Sequence, residues 1–248
     1  MTIHIRKCKH CKQDFILKNI AYEKRGQGKY CSKQCSKYAT KKHSFNEHYF
    51  DVIDTSTKAY WLGFLMADGC NTENELTVEL SIKDKDHLSK LKEAFGATQT
   101  ISYRMKNGHE MVSLRLASRQ FCKTLTVLGC KPNKSFILKL PKIKLIGTIL
   151  MRDFIRGYFD GDGCISIRRD NKNKIWSIYS VSEKFILSMK KQIEKDTGIQ
   201  LHKYKQGKNG HRICAMKKDS IRIIAEYFYN NRTPEAFMER KRALLLTV

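Results

Sequence analysis

Polar and apolar residues alternate over residues 77–83, where Val78, Leu80 and Ile82 face one way and Thr77, Glu79, Ser81 and Lys83 the other. A period of two marks a β-strand with one buried and one polar face. Val112, Leu114 and Leu116 alternate with Ser113 and Arg115 in the same manner, and residues 100–104 read as a short strand between the two. Helical patterning follows each run, over about 85–95 and 118–128. The same order then returns. Ile165 and Ile167 alternate with Ser166 and Arg168, and a strand is predicted over 176–181. Ser182 is placed to cap a helix over 183–196. Strands near 201–205 and 212–216 precede the final helices. With one helix ahead of each series, the chain reads as α+β, a pseudo-symmetric duplication of an αββαββα unit.

The two leading helices carry near-copies of one segment. The first is Leu62-Gly63-Phe64-Leu65-Met66-Ala67-Asp68-Gly69, the second Arg156-Gly157-Tyr158-Phe159-Asp160-Gly161-Asp162-Gly163, 94 residues later. Gly63 and Ala67 share a helix face, as Gly157 and Gly161 do, because residues four apart stack on one another. Small residues on one stripe let two helix backbones come closer than the usual separation of about 8–10 Å. The apolar remainder, including Trp61, Leu65, Ile155 and Phe159, predicts burial of both helices. Gly69 and Gly163 are expected in the left-handed conformation that ends a helix. Asp68 and Asp162 then stand at helix C-termini, where the macrodipole is already negative and a carboxylate needs a cation beside it. Two such ends side by side offer an all-oxygen site suited to a hard divalent ion such as Mg²⁺. A calcium loop beginning at Asp160 is excluded, since its sixth position requires Gly and holds Ile165.

These duplicated segments resemble those of the LAGLIDADG homing endonucleases in their single-chain, two-motif form. The resemblance spans about residues 45–245 and extends to Phe50-Asp51-Val52-Ile53-Asp54 leading into Ala59-Tyr60-Trp61-Leu62-Gly63. It implies that the two motif helices form the interface between pseudo-symmetric halves. It implies also that Asp68 and Asp162 hold Mg²⁺ (or Mn²⁺) at the two scissile phosphates, assisted by the carbonyls of Ala67 and Gly161. The often acidic sixth motif position is Asp160 in the second copy and Met66 in the first, a departure that leaves the metal-binding position intact. Lys134 and Lys241 resemble lysines that the family places near the cleavage site, where a cation stabilises charge on the phosphate or polarises water. The family lays its sheet face along the DNA major groove, in which base edges are distinguishable. The residues expected there are Thr77, Glu79, Lys83, Arg104, Ser113, Arg115, Ser166, Arg168, Lys203, Lys205 and Arg212. The implied activity is hydrolysis of one phosphodiester on each strand of a long duplex target, leaving four-base 3′ overhangs, by a monomer.

Charge agrees with such a partner. The chain carries 48 Lys and Arg against 24 Asp and Glu, a formal +24 on 248 residues. The lysines are spread along its length, and neutralised phosphates release counterions. No apolar run approaches 18 residues and no secretory segment is apparent, so no membrane association is expected. Nine cysteines without a signal sequence suit a reducing compartment, the cytoplasm of a bacterial or phage-infected cell or an organellar matrix. Cys70, Cys122, Cys130, Cys164 and Cys214 lack ligand spacing and read as small buried hydrophobes.

Cys8-Lys-His-Cys11 and Cys31-Ser-Lys-Gln-Cys35 form two close pairs near the N-terminus. Four thiolates in two local pairs can close a tetrahedral Zn²⁺ site in a segment with little core of its own. It looks like a treble-clef or knuckle type of zinc finger. Lys7, Lys9, Lys12, Lys18, Lys24, Arg25, Lys29, Lys33 and Lys37 make it either an extra DNA clamp or a structural cap. A His-Asn-His nuclease is discounted, because no histidine lies between Cys11 and Cys31. The expected organisation is a zinc module over 1–44, a first half over 45–145 and a second over 146–248. Rival readings on the same fold are an RNA-binding intron maturase and a DNA-binding regulator without cleavage. Neither end resembles an intein splice junction, so the chain is taken as a free protein.

Overall fold

Thr55 starts the first motif helix by accepting a hydrogen bond from the Lys58 backbone N–H at 3.2 Å, the usual device for one of the orphan donors of a helix start. The computed structural model describes residues 4–17, 28–39, 43–167, 174–229 and 236–247. It divides into two compact units, Met1–Ser44 and Phe45–Val248.

In the smaller unit, strands β1 (Ile5–Lys7) and β2 (Asp14–Ile16) pair antiparallel and a short helix α1 (Lys33–Ala39) follows. The larger unit runs α2 (Ser56–Asp68), β3 (Gly69–Asn71), β4 (Glu75–Ser81), α3 (Lys85–Ala94), β5 (Ser102–Lys106), β6 (His109–Ala117) and α4 (Arg119–Leu128). A connection containing the one-turn helix α5 (Ile143–Ile146) leads to the second series. That series is α6 (Met151–Asp162), β7 (Gly163–Ile167), β8 (Lys174–Ser180), α7 (Glu183–Thr197), β9 (His202–Gln206), β10 (Gly210–Ala215), α8 (Lys218–Tyr229) and α9 (Glu239–Leu246). The two four-stranded antiparallel sheets have the same order, β3-β4-β6-β5 and β7-β8-β10-β9. The αββαββα duplication is thus present, with α9 added.

Alternation does in space what it announces in sequence. Leu76, Val78 and Leu80 of β4 and Val112, Leu114 and Leu116 of β6 are buried beneath α3 and α4, while Trp176, Ile178, Ile213 and Ala215 are buried beneath α7 and α8. One continuous apolar core joins both halves. Helix α2 is buried all round from Ala59 to Met66, as a helix sandwiched between two half-domains must be. Among the described residues no two elements pack as extensively as α2 and α6, and no helix is long and apolar enough to cross a membrane.

Three expectations are corrected. Gly69 and Gly163 are extended, with φ −79° and −87°, and each opens a strand. Their lack of a side chain serves close approach: a Cβ would stand 2.6 Å from the Leu65 carbonyl oxygen at Gly69, and 2.1 Å from the Phe159 ring at Gly163. Strand β4 ends at Ser81, whose hydroxyl accepts from the Lys83 N–H at 3.4 Å, so Ile82 and Lys83 lie in a 3₁₀ turn beyond the strand. Cys70 and Cys164 are exposed, whereas Cys122, Cys130 and Cys214 are buried as expected. The first strand of each sheet turns its second residue outward, and its successor in the first half, Asn71, goes in. Asn71 Nδ2 donates to the carbonyls of Cys122 (3.0 Å), in the first turn of α4, and Cys130 (2.8 Å), just past its end, tying β3 to that helix.

The contact between α2 and α6 leaves no room for a methyl group: a Cβ on Gly63 would lie 1.9 Å from the Phe154 carbonyl oxygen. Gly63→Ala is therefore expected to cost about 3 kcal/mol or more through overpacking. Thermal melting by circular dichroism checks this, and a variant melting with its parent would show that the helices can part freely.

Candidate functional site

The crossing of α2 and α6 obeys a reciprocal rule. Gly63 abuts the Phe154 carbonyl and the Tyr158 N–H, while Gly157 abuts the Tyr60 carbonyl and the Phe64 N–H. Adding 94 to the first-helix member of one contact and subtracting 94 from the second-helix member gives the other, so a pseudo-two-fold axis passes between the helices. Gly161 sits against the methyl of Ala67, its own counterpart, and a Cβ there would stand 3.1 Å from Asp68 Oδ2. The two helix ends, and with them Asp68 and Asp162, are thereby brought side by side.

Both carboxyls are half-buried. Burial, and then the charge of Asp162, pushes Asp68 up to about 7. Burial raises Asp162 as well, opposed by the Tyr158 hydroxyl and by Lys241 and Lys134. The two lysines singled out from the sequence stand at this place. Lys134, in a 3₁₀ turn after α4, donates to the Gly69 carbonyl. Lys241 of α9 donates to the carbonyls of Phe159 (3.0 Å), Asp160 (2.6 Å) and Gly161 (2.9 Å). An ammonium has three donors, so Lys241 spends all of them on the open C-terminus of α6, and burial lowers its pKa. Each motif helix thus ends on a lysine that answers its dipole. A cleft of about 200 Å³ lined by Ala67, Lys134, Tyr158, Asp162 and Tyr179 opens beside the pair.

Two carboxyls whose proton affinity is raised by burial, and at Asp68 also by the charge of its neighbour, are a donor set that a hard dication suits. Asp68, Asp162 and the carbonyls of Ala67 and Gly161 fit such an ion, although one acceptor direction of Gly161 is already taken by Lys241.

On the first sheet, the face away from the helices carries Thr77 opposite Arg115, Glu79 opposite Ser113, Ser113 opposite Ser102, and Arg104 opposite Met111. Glu79 is ion-paired with Arg104 and, at 2.7 Å, with Lys106, which together hold its carboxyl below the usual range. Lys83 is exposed at the strand end. On the second sheet the corresponding face carries Ser166, Ser177, Tyr179 and Arg212, with His202 opposite Cys214 and Tyr204 opposite Arg212. Lys203 and Lys205 pair with Ile213 and His211 and point to the other side, where Lys203 meets Glu183 at the start of α7. They do not share a face with Arg212; His202, Tyr204 and Gln206 take that place. Arg168 lies outside the described residues.

A buried polar cluster escaped the sequence reading. Tyr60 Oη donates to Asp160 Oδ2 at 2.6 Å and lies 3.1 Å from His87 Nε2. Arg156 pairs with Asp153 at 3.1 Å, both almost fully buried. Burial drives His87 down to about 3 and Asp160 up to about 6. The only outward sign was the mismatch between Met66 and Asp160.

In the smaller unit the sulfurs of Cys8, Cys11, Cys31 and Cys35 all lie within 4.8 Å of one another, with Cys11–Cys31 at 3.6 Å and Cys31–Cys35 at 3.4 Å. Thiolates about 2.3 Å from a tetrahedral zinc stand about 3.8 Å apart, so the cluster fits that ion. Burial opposes ionisation of Cys8, yet the backbone N–H groups of Cys31, Cys11 and His10 bring it down to about 6. Cys35 and Cys11 push Cys31 up to about 12. Lys7, Lys9, Lys12, Lys29 and Lys33 are exposed around the cluster. Lys18, Lys24, Arg25 and the side chain of Lys37 lie outside the described residues.

Residues 150–229 match the family model of the LAGLIDADG-like domain. The structure is similar to that of the homing endonuclease I-WcaI bound to its DNA recognition sequence, at 16% identity and a TM-score of 0.55, over 79% of this chain and 91% of that one. It is similar to mesophilic variants of the homing endonuclease I-DmoI, at 13% identity and a TM-score of 0.50, over 82% of this chain and 100% of that one. It is also similar to full-length DUF199/WhiA from Thermatoga maritima, at 14% identity and a TM-score of 0.50, over 82% of this chain and 64% of that one. No curated protein matches the chain. At these identities the likeness is one of fold, and the fold is that of the LAGLIDADG proteins.

Two outcomes follow from the charges. Folded Asp68 keeps a proton that the unfolded chain loses between about pH 4 and pH 7, so this group makes stability fall as pH rises through that window. Asp68→Asn is expected to melt above its parent at pH 8 and to converge with it at acid pH; identical pH profiles would contradict the raised affinity. In the smaller unit, one equivalent of Zn²⁺ is expected per chain by atomic emission. Cys31→Ser should abolish it, and chelation should unfold this unit; retention of zinc by the variant would refute the four-thiolate site.

Proposed function

We propose that the protein is a site-specific, metal-dependent endonuclease that cuts both strands of a long DNA duplex and leaves 3′ overhangs. The observation that carries this reading is the pair Asp68 and Asp162, set side by side at the C-terminal ends of α2 and α6, with β3 and β7 of the two sheets following directly from them. Asp68 and Asp162, with the carbonyls of Ala67 and Gly161, are the proposed holders of Mg²⁺ or Mn²⁺. Such an ion supplies Lewis-acid charge at the phosphate and a bound water of lowered pKa. Lys134 and Lys241 neutralise the helix ends so that the carboxylates are left to face the ion.

Thr77, Glu79, Arg104, Ser113, Arg115, Ser166 and Arg212, joined by His202, Tyr204 and Gln206, are the proposed groove contacts. Lys83, Lys203 and Lys205 then serve the phosphate backbone, which positions without specifying. The zinc module is proposed to add backbone contacts through Lys7, Lys9, Lys12, Lys29 and Lys33. Because both halves lie in one chain, the proposed acting form is a monomer.

The test is selection followed by cleavage. A randomised duplex pool is enriched on the protein in Ca²⁺, the buffer is changed to Mg²⁺, and the new ends are sequenced. Discrete staggered breaks are expected, lost in Asp68→Asn and Asp162→Asn with enrichment retained. Specific enrichment without breaks would replace the nuclease by a non-cleaving DNA-binding protein. No enrichment of DNA, with tight binding of structured RNA, would move the function to intron RNA.

A further inference from the structure

The two halves are unequal where they meet, and the inequality follows one pattern. The second motif helix buries Asp153, Arg156 and Asp160 where the first, 94 residues earlier, buries Ala59, Leu62 and Met66. Tyr60, across from them, corresponds to Phe154. The hydrogen-bonded pair Tyr60–Asp160 on one side of the pseudo-two-fold axis therefore has an apolar counterpart, Phe154 and Met66, on the other.

Asp160 reaches further than its own interface. Its Oδ2 accepts from Tyr60 Oη at 2.6 Å and from the Met238 N–H at 2.8 Å. Met238 is the N-cap of α9 and its carbonyl accepts from the Lys241 and Arg242 N–H groups at 3.1 and 3.0 Å. Lys241, one turn into that helix, then closes on the last carbonyls of α6, directly before Asp162. His87 Nε2, from α3 of the first half, lies 3.1 Å from the far side of the Tyr60 hydroxyl. A chain of contacts thus runs from the first half through Tyr60 and Asp160 to the lysine of the second. Among the described residues no carboxylate of α2 supports Lys134 in this way: Met66, at the place of Asp160, packs towards Gly129, where a Cβ would stand 2.8 Å from its Cε, and the segment before Lys134 is tied instead through Cys130 to Asn71 and Leu65.

We propose that Tyr60 and Asp160 are positioning residues for Lys241, so that the two cleavage centres are set by different means and the strand cut beside Lys241 alone depends on this contact. The inference rests on the nuclease reading only for its effect on cleavage; the placement of Lys241 stands apart from it.

The test compares the parent with Tyr60→Phe and with the double variant Tyr60→Phe/Asp160→Met, which installs the apolar pair already used on the other side. Asp160→Asn, which keeps an acceptor for both donors, is the conservative control. Two readouts are taken. Strand-resolved end sequencing on the enriched duplex pool in Mg²⁺ is expected to show one strand cut roughly 10- to 100-fold more slowly in the double variant, with the other little changed, as displacement of a catalytic group by about 1 Å does. Reductive methylation read by mass spectrometry is expected to find Lys241 protected in the parent and in Asp160→Asn, and reactive in the double variant. Equal slowing of both strands, or unchanged protection of Lys241, overturns the proposal. Should the double variant fail to fold, Tyr60→Phe, which removes one oxygen, decides by the same readouts. If the parent cuts neither strand, the nuclease reading fails, and Lys241 labelling alone decides whether Asp160 positions it.

Discussion

Direct backbone contact between α2 and α6 is the constraint on which the larger unit depends. Helices normally meet through side chains, which keep their axes about 8–10 Å apart. At Gly63 and Gly157 each helix instead meets the carbonyl of the other, and an added methyl would stand 1.9 Å from it. A contact this close has one register, because sliding either helix by a residue would drive a side chain into a carbonyl. It fixes the pseudo-two-fold axis, sets the two sheets in equivalent places, and brings two negative helix ends together with a carboxylate on each.

The electrostatic cost of that arrangement is visible in the raised proton affinities of Asp68 and Asp162. It is met from within by two lysines at the helix ends rather than by surface charge. Exposed ion pairs contribute little, but Lys241 is buried with all its donors satisfied by carbonyls, so its charge acts at close range and in low dielectric. The chain as a whole keeps a formal charge of +24, a field that attracts anions of any kind.

Much of this was legible in the sequence because it rests on period and repetition. Leu76, Val78 and Leu80 announce a half-buried strand, and the recurrence of a Gly-x-x-x-small-Asp-Gly segment announces paired helices. The parts that were not legible lack such a signature. All five residues of β9 are exposed, so no alternation marks which side each faces, and it is His202 and Tyr204 rather than Lys203 that share the face of Arg212. Gly69 and Gly163 look like helix stops in the chain, yet what excludes a side chain there is a carbonyl or a ring one turn back. Tyr60 and His87 sit in apolar and helical patterns that give no hint of a hydrogen bond between distant elements. Only the third dimension pairs Tyr60 with Asp160 and sets His87 against the Tyr60 hydroxyl.

The unequal pairs at the helix crossing also determine which partners each half will accept. Two first halves brought together by their motif helices would set the hydroxyl of Tyr60 against Met66, which offers it no strong acceptor. Two second halves would bury Asp160 against Phe154, twice over, with no donor from the opposite helix, and truncating one side of a buried polar pair is strongly unfavourable. Discrimination of this kind works by penalising the wrong partner rather than by rewarding the right one. A duplicated chain has two nearly identical surfaces competing for one another, on the same molecule and on its neighbours during folding. The few buried polar side chains on one side of the axis make each half complementary to the other and a poor match for itself.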